Sequence, residues 1–236
     1  SLPKASAFYA SIPTNASLWR ALQDFAETEE AGSLPPVHRR LLEKTIREFR
    51  RHGADLDEAG KDELRQIDEK LTLLTNHFAQ NTLDSTNAFE IFVEDEARLS
   101  GLPEVAKDSA RESATTKGKD GWRFTLQAPS LIAVLTHIDD AELRETIWRA
   151  YATRSTEQGR DNRALLPQIL KLRRRKAEVL GFADFSDLVL ADRMAGDGAQ
   201  AERFVDDLRE RCARFAKIEH DALVDFQRSF DSDEAR

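Results

Sequence analysis

Five apolar residues, Leu64, Ile67, Leu71, Leu74 and Phe78, step by three, four, three and four positions along one stretch free of proline. That period is helical and heptad-like, so the five side chains form one stripe that another helix must cover over much of its length. Asp57 lies just ahead of the stretch and reads as its N-cap. Stripes of this kind are core far more often than cofactor sites, so the seam fixes packing and suggests no ligand. A chain built on it is committed to helix-on-helix architecture.

The flanking sequence agrees. Irregular, proline-containing sequence from Ser1 precedes a helical face of Leu18, Trp19, Leu22, Phe25 and Ala26, with Asn15 or Ser17 as cap and Gly32 and Pro35-Pro36 as terminators. Val37, Leu41, Leu42, Ile46 and Phe49 stripe a second helix over residues 36–52, stopped by Gly53, and the two are expected as antiparallel neighbours. Alternation at Phe89, Ile91 and Val93, and again across Trp122 to Leu126, predicts two short paired strands, with a turn and a helix running to Thr115, Pro103 at its first position, between them. Pro129-Ser130 reads as a turn closing the second strand.

Asp139 with Glu142 three residues on reads as a capping box opening a helix whose apolar side is Leu143, Ile147, Ala150 and Tyr151, with Trp148 beside them. Arg160-Asp161-Asn162 makes a polar start to the next helix, carried by Leu165, Ile169, Leu172 and Val179 to Gly181. Phe204, Leu208, Cys212, Phe215, Glu219, Ala222 and Phe226 mark a last long helix. The expected fold is mainly α, a multi-helix lobe with one small two-stranded β element, with residues 1–236 forming a single lobe.

Composition narrows the function. A formal charge of −8 argues against nucleic acid or an anionic membrane as main partner, since nonspecific binding to either rests on cationic surface. No apolar run approaches the roughly 20 residues that cross a bilayer, and the start lacks a basic-then-apolar signal region, so a cytoplasmic location is expected. Cys212 is the sole cysteine, which agrees with a reducing compartment. The chain opens on Ser1-Leu-Pro-Lys rather than Met, and the expectation is a fragment of a longer protein.

Several stretches carry a specific likeness. The order strand, Pro129-Ser130, then a Leu-Arg-Glu helix ending Arg149-Ala-Tyr-Ala-Thr-Arg154 resembles the zinc metallopeptidase family of thimet oligopeptidase, oligopeptidase A and peptidyl-dipeptidase. Asn81-Thr-Leu-Asp-Ser-Thr86, the Glu94 to Pro103 order ending Gly-Leu-Pro, and the Gly181-Phe-Ala-Asp-Phe185 turn after a basic helix are similar to the same family, whereas Leu131 and Ala133 stand where members carry Tyr and Pro. The likeness extends from near the start to about Phe215. It implies the helical, non-catalytic part of an oligopeptidase: one wall of a deep channel admitting short peptides, opposite a catalytic lobe of the same polypeptide that holds zinc. In the whole enzyme, the resemblance implies, zinc polarises the scissile carbonyl and activates water while a glutamate acts as base.

The chemistry itself is missing from this stretch. H-E-x-x-H needs two histidines four residues apart so that both imidazoles reach one metal. The five histidines, His38, His52, His77, His137 and His220, include no such pair. No catalytic, metal or substrate-binding residue is therefore assigned, no zinc is expected on this segment, and the segment alone is expected to be inactive. His137 with Asp139 and Asp140 is a remote metal candidate, better read as a solvated helix start. Cys212, on an apolar stripe without an adjacent histidine, reads as a buried structural thiol. Lys171, Arg173, Arg174, Arg175 and Lys176 circle a helix too widely to face one ligand and read as solvated cations with carboxylate partners. Arg144, Arg149 and Arg154 could face a substrate channel or form salt bridges. Two other functions remain open: a free-standing helical module that binds peptide or protein without cutting, and, less favoured by charge, nucleic-acid binding through Lys171 to Lys176.

Overall fold

The computed structural model describes residues 8–9 and 12–234; the irregular start expected from Ser1 lies largely outside them. The described residues form ten α-helices, one short 3-10 turn and one two-stranded antiparallel sheet, so the mainly α expectation holds. The elements are α1 (Ala16–Ala26), α2 (Glu29–Ser33), α3 (Pro36–Arg51), α4 (Glu58–Ala88), β1 (Glu90–Val93), a 3-10 turn (Glu96–Leu99), α5 (Glu104–Thr115), β2 (Trp122–Thr125), α6 (Ala128–His137), α7 (Ala141–Ala152), α8 (Leu165–Val179), α9 (Phe185–Leu190) and α10 (Gly198–Glu234). The chain divides into two compact units, one holding residues up to Arg65 and from Arg173 onward, the other Gln66–Leu172.

The central unit contains the larger core. Strand β1 pairs with β2 in the register Ile91 to Phe124 and Val93 to Trp122, as the alternating pattern predicts. Because alternate residues share a face, Val93, Trp122 and Phe124 turn to one side of the sheet and are buried there with Leu99, Leu102 and Ala110. Leu131 and Val134 of α6 and Leu143 and Ile147 of α7 complete the cluster. Burying each of the larger side chains contributes about 1.5–3 kcal/mol, which outweighs the modest helix propensity of the β-branched residues. On the seam of α4, Leu64 and Ile67 are buried, and Leu71, Leu74 and Phe78 are half-buried.

The other unit has a smaller core. Trp19 of α1 stacks on Phe49 of α3 with ring centroids 5.7 Å apart, and Ala54 completes the cluster. Asn15 caps α1 by accepting from the Leu18 N–H at 3.0 Å. Asp57 does the same for α4, accepting from Gly60 at 2.8 Å.

Three local expectations need correction. Pro129 and Ser130 belong to the first turn of α6, where a proline's missing N–H costs nothing, so the segment continues as helix instead of turning. Gly32 lies inside the short helix α2, capped by Thr28, which holds the segment after α1 helical again before Pro35. The cap of α7 is Asp140, which accepts from Leu143 at 2.9 Å, while Asp139 accepts from the Ser100 hydroxyl at 2.7 Å.

Candidate functional site

The densest buried polar arrangement in the central unit joins two stretches distant in sequence, Phe78–Thr86 on α4 and Tyr151–Asn162 after α7. Asn81, Ser85, Ser155 and Asn162 are all buried. The Asn81 side-chain amide donates to Asn162 Oδ1 at 2.9 Å, and Asn162 in turn donates to the Phe78 carbonyl at 3.1 Å and to Thr82 Oγ1 at 3.2 Å. The Ser155 N–H donates to Ser85 Oγ at 3.1 Å, and the Asn162 N–H to the Ser155 carbonyl at 2.8 Å. Arg154 donates to Thr86 at 3.0 Å and lies 3.7 Å over the Tyr151 ring.

This network exists because the chain leaves α7 through a non-helical segment whose backbone groups must find partners away from water. Ser155 takes φ 57 there, the one described non-glycine residue with positive φ. One face of α4 supplies the partners, the side chains at positions 81, 82, 85 and 86 and the backbone carbonyl of Phe78, about one helical turn apart. Glu157 joins at the edge: a hydrogen bond from Ser85 holds its carboxyl below the usual range. Thus the Asn81 to Thr86 and Arg149 to Arg154 stretches, singled out separately in the sequence, meet in one buried clamp. Its groups are amides, hydroxyls and a guanidinium that satisfy one another, a set suited to holding a loop rather than to acid–base or nucleophilic chemistry.

The other candidates are placed as follows. Arg144 donates to the Ile138 carbonyl, Arg149 pairs with Glu145 at 2.6 Å, and Arg154 belongs to the clamp, so each has a local partner. Asp140 accepts from Arg98 at 2.6 Å as well as capping α7, and Arg98 first and the Leu143 N–H second hold its carboxyl below the ordinary value. His137 is exposed, as are the other four histidines. No group of three His, Cys, Asp or Glu side chains among the described residues could hold a metal, so the donor set here does not fit zinc.

In the basic cluster, Arg174 pairs with Glu178 at 3.1 Å, Arg175 takes Glu63 through two bonds of 2.6 and 3.0 Å, and Arg173 lies 5.2 Å over the Phe185 ring. The reading of separate cations with carboxylate partners stands for Arg174 and Arg175, whereas the partner seen for Arg173 is an aromatic ring. Cys212 requires correction: it is exposed. The apolar stripe of α10 that was expected to bury it is itself open to solvent, with Phe204 64% and Phe215 63% exposed and Leu208, Ile218 and Leu223 likewise exposed.

Residues 134–230 match the family described as Peptidase family M3. The chain is 36% identical to oligopeptidase A of Haemophilus influenzae over 215 residues, which cover 89% of this chain and 32% of that protein. It is 32% identical to oligopeptidase A of Escherichia coli over 215 residues, again 89% of this chain and 32% of that protein. Dipeptidyl carboxypeptidase of Escherichia coli is 28% identical over 196 residues, 82% of this chain and 29% of that protein. The chain spans about a third of the length of these relatives.

Proposed function

We propose that this chain, a relative of the zinc metallopeptidase family M3 over most of its length, is the amino-terminal, non-catalytic region of an oligopeptidase that hydrolyses short peptides in the cytoplasm. The observation that carries the proposal is the exposed stripe of α10. The helix of 37 residues carries Phe204, Leu208, Phe215 and Ile218 open to water, and clustered exposed apolar side chains of this kind are a feature of interaction sites. The family match runs over this same helix to residue 230, and the relatives are about three times longer than the matched stretch. The remainder of a longer polypeptide covers the stripe, and that remainder supplies zinc ligands and the general base, because the residues here do not fit that role. The present chain contributes helical wall to the peptide channel and stability to its lobe.

Zinc content and cleavage of an internally quenched short peptide, measured on this chain and on the complete polypeptide in parallel, test the proposal. Stoichiometric zinc and cleavage in the longer product alone support it. Zinc binding and cleavage by this chain alone would overturn it, and an absence of both from the complete polypeptide would favour a binding module.

A further inference from the structure

In the unit formed by the chain's two ends, α3 and the segment from α8 to α9 enclose a cleft of about 460 Å3. One helical face of α3 lines it with Lys44, Arg47, Glu48 and Arg51, positions three and four apart. Facing them are Lys176 and the apolar residues Phe185, Leu188 and Val189. Four Lys and Arg cations thus meet two carboxylates, Glu48 and Asp192, on a chain whose net charge is −8. Asp192 is already engaged by Arg51 at 3.5 Å.

The floor is fixed in place. Leu188 is only 4% exposed. The Arg173 guanidinium covers the Phe185 ring, and Asp184 caps α9 by accepting from the Asp187 N–H at 2.9 Å. Its volume lies within the range of small-molecule sites, which combine an apolar lining with a few placed charges.

We propose that this cleft binds a small organic anion, with a phosphate or carboxylate head on Lys44 and Arg47 and an apolar body over Phe185 and Val189. Neither half of the lining explains the other. A purely electrostatic patch has no use for an apolar floor, and an apolar cleft would be weakened by a cationic rim. An amphiphilic anion satisfies both. The site is separate from the buried clamp, and it stands whether or not the chain belongs to a complete peptidase.

Phenyl phosphate, benzoate and inorganic phosphate, each titrated into the full 236-residue chain with amide shifts followed by NMR, provide the test. At least one of the two organic anions binds about tenfold more tightly than inorganic phosphate, the gain expected from burying part of a phenyl ring. Shifts cluster on α3 and α9, and affinity falls as salt rises. Lys44→Gln with Arg47→Gln, both exposed positions, weakens the organic anions and phosphate about fivefold or more. Val189→Ser weakens the organic anions only. Equal binding of organic and inorganic anions, shifts confined to other surfaces, or full affinity in the Lys44→Gln, Arg47→Gln variant would overturn the assignment. Benzoate against phenyl phosphate decides which head group the site takes.

Discussion

Replacing Asn162 by alanine should unfold the clamp from its centre. The side chain is buried at 5% exposure and serves three contacts, accepting from Asn81 and donating to the Phe78 carbonyl and to Thr82. The Phe78 carbonyl keeps the Thr82 hydroxyl as a donor at 3.0 Å, so it is not orphaned. The Asn81 amide loses its partner while remaining buried, and an unsatisfied buried donor costs about 1–3 kcal/mol, with about 0.5–1.5 kcal/mol for each further bond lost. The expected destabilisation is therefore about 3 kcal/mol. For a chain of this size that lowers Tm by about 6–12 °C. Urea and thermal melts followed by far-UV circular dichroism measure it. The Asn81→Ala, Asn162→Ala double variant should lose at least about 1 kcal/mol less than the sum of the singles, because it removes the orphan along with its partner. A single-variant loss below about 0.5 kcal/mol, the range of ordinary surface substitutions, or strict additivity in the cycle, would refute the reading of these residues as one network.

Gly101→Ala should cost about 3 kcal/mol, since a Cβ there meets the backbone carbonyl of His137 while φ 83 is kept in the left-handed region; a melt shifted by less than a third of that would contradict the close approach. Ser155→Gly should be more stable than Ser155→Ala by about 1 kcal/mol, because both lose the hydroxyl but only glycine takes φ 57 without strain, and equal melts would show that the strain is absent. Asp140 carries a pH signature. Its folded value lies below the ordinary 3.8 through Arg98 and the Leu143 N–H, so its stabilisation is present above pH 4 and fades as pH falls through the folded value. Stability measured downward from pH 5 should accordingly fall less steeply in Asp140→Asn than in the parent, and parallel profiles would remove Asp140 from the account of acid lability.

How much of this was legible in the sequence depends on how local each cause is. The strand pair and most helix limits follow from periodicities of two and 3.6 and from caps within four residues, so Phe124, Leu143 and Ile147 could be placed in a core before any coordinates. The errors arose where a contact distant in sequence made the choice. Asp139 and Asp140 are adjacent aspartates, and the choice of cap was made by Ser100, thirty-nine residues away, which takes Asp139. Pro129 satisfies the rule for a turn and the rule for a first helical turn equally, and the burial of Leu131 and Val134 decides for helix. The clamp was half-legible: its two stretches stood out by likeness, but nothing in either predicts that Asn81 will meet Asn162 eighty-one residues on.

The exposed stripe of α10 marks a different limit. Helical period tells which residues share a face, and Phe204, Leu208, Cys212 and Phe215 do share one, yet period carries no information about what covers it. Cys212 was expected to be buried on the assumption that every stripe finds its cover within the same chain, and its exposure contradicts that assumption for α10, as the exposure of Val37 and Leu41 does for the first turns of α3. If the cover is the remainder of a longer peptidase, Phe215→Glu should leave the melt of the present chain within about 0.5 kcal/mol and lower that of the complete polypeptide by about 3 kcal/mol, the cost of a charge placed in a packed interface. Equal small effects in both would mean that nothing packs on the stripe, and the place proposed for this chain in a larger peptidase would lose the observation that carries it.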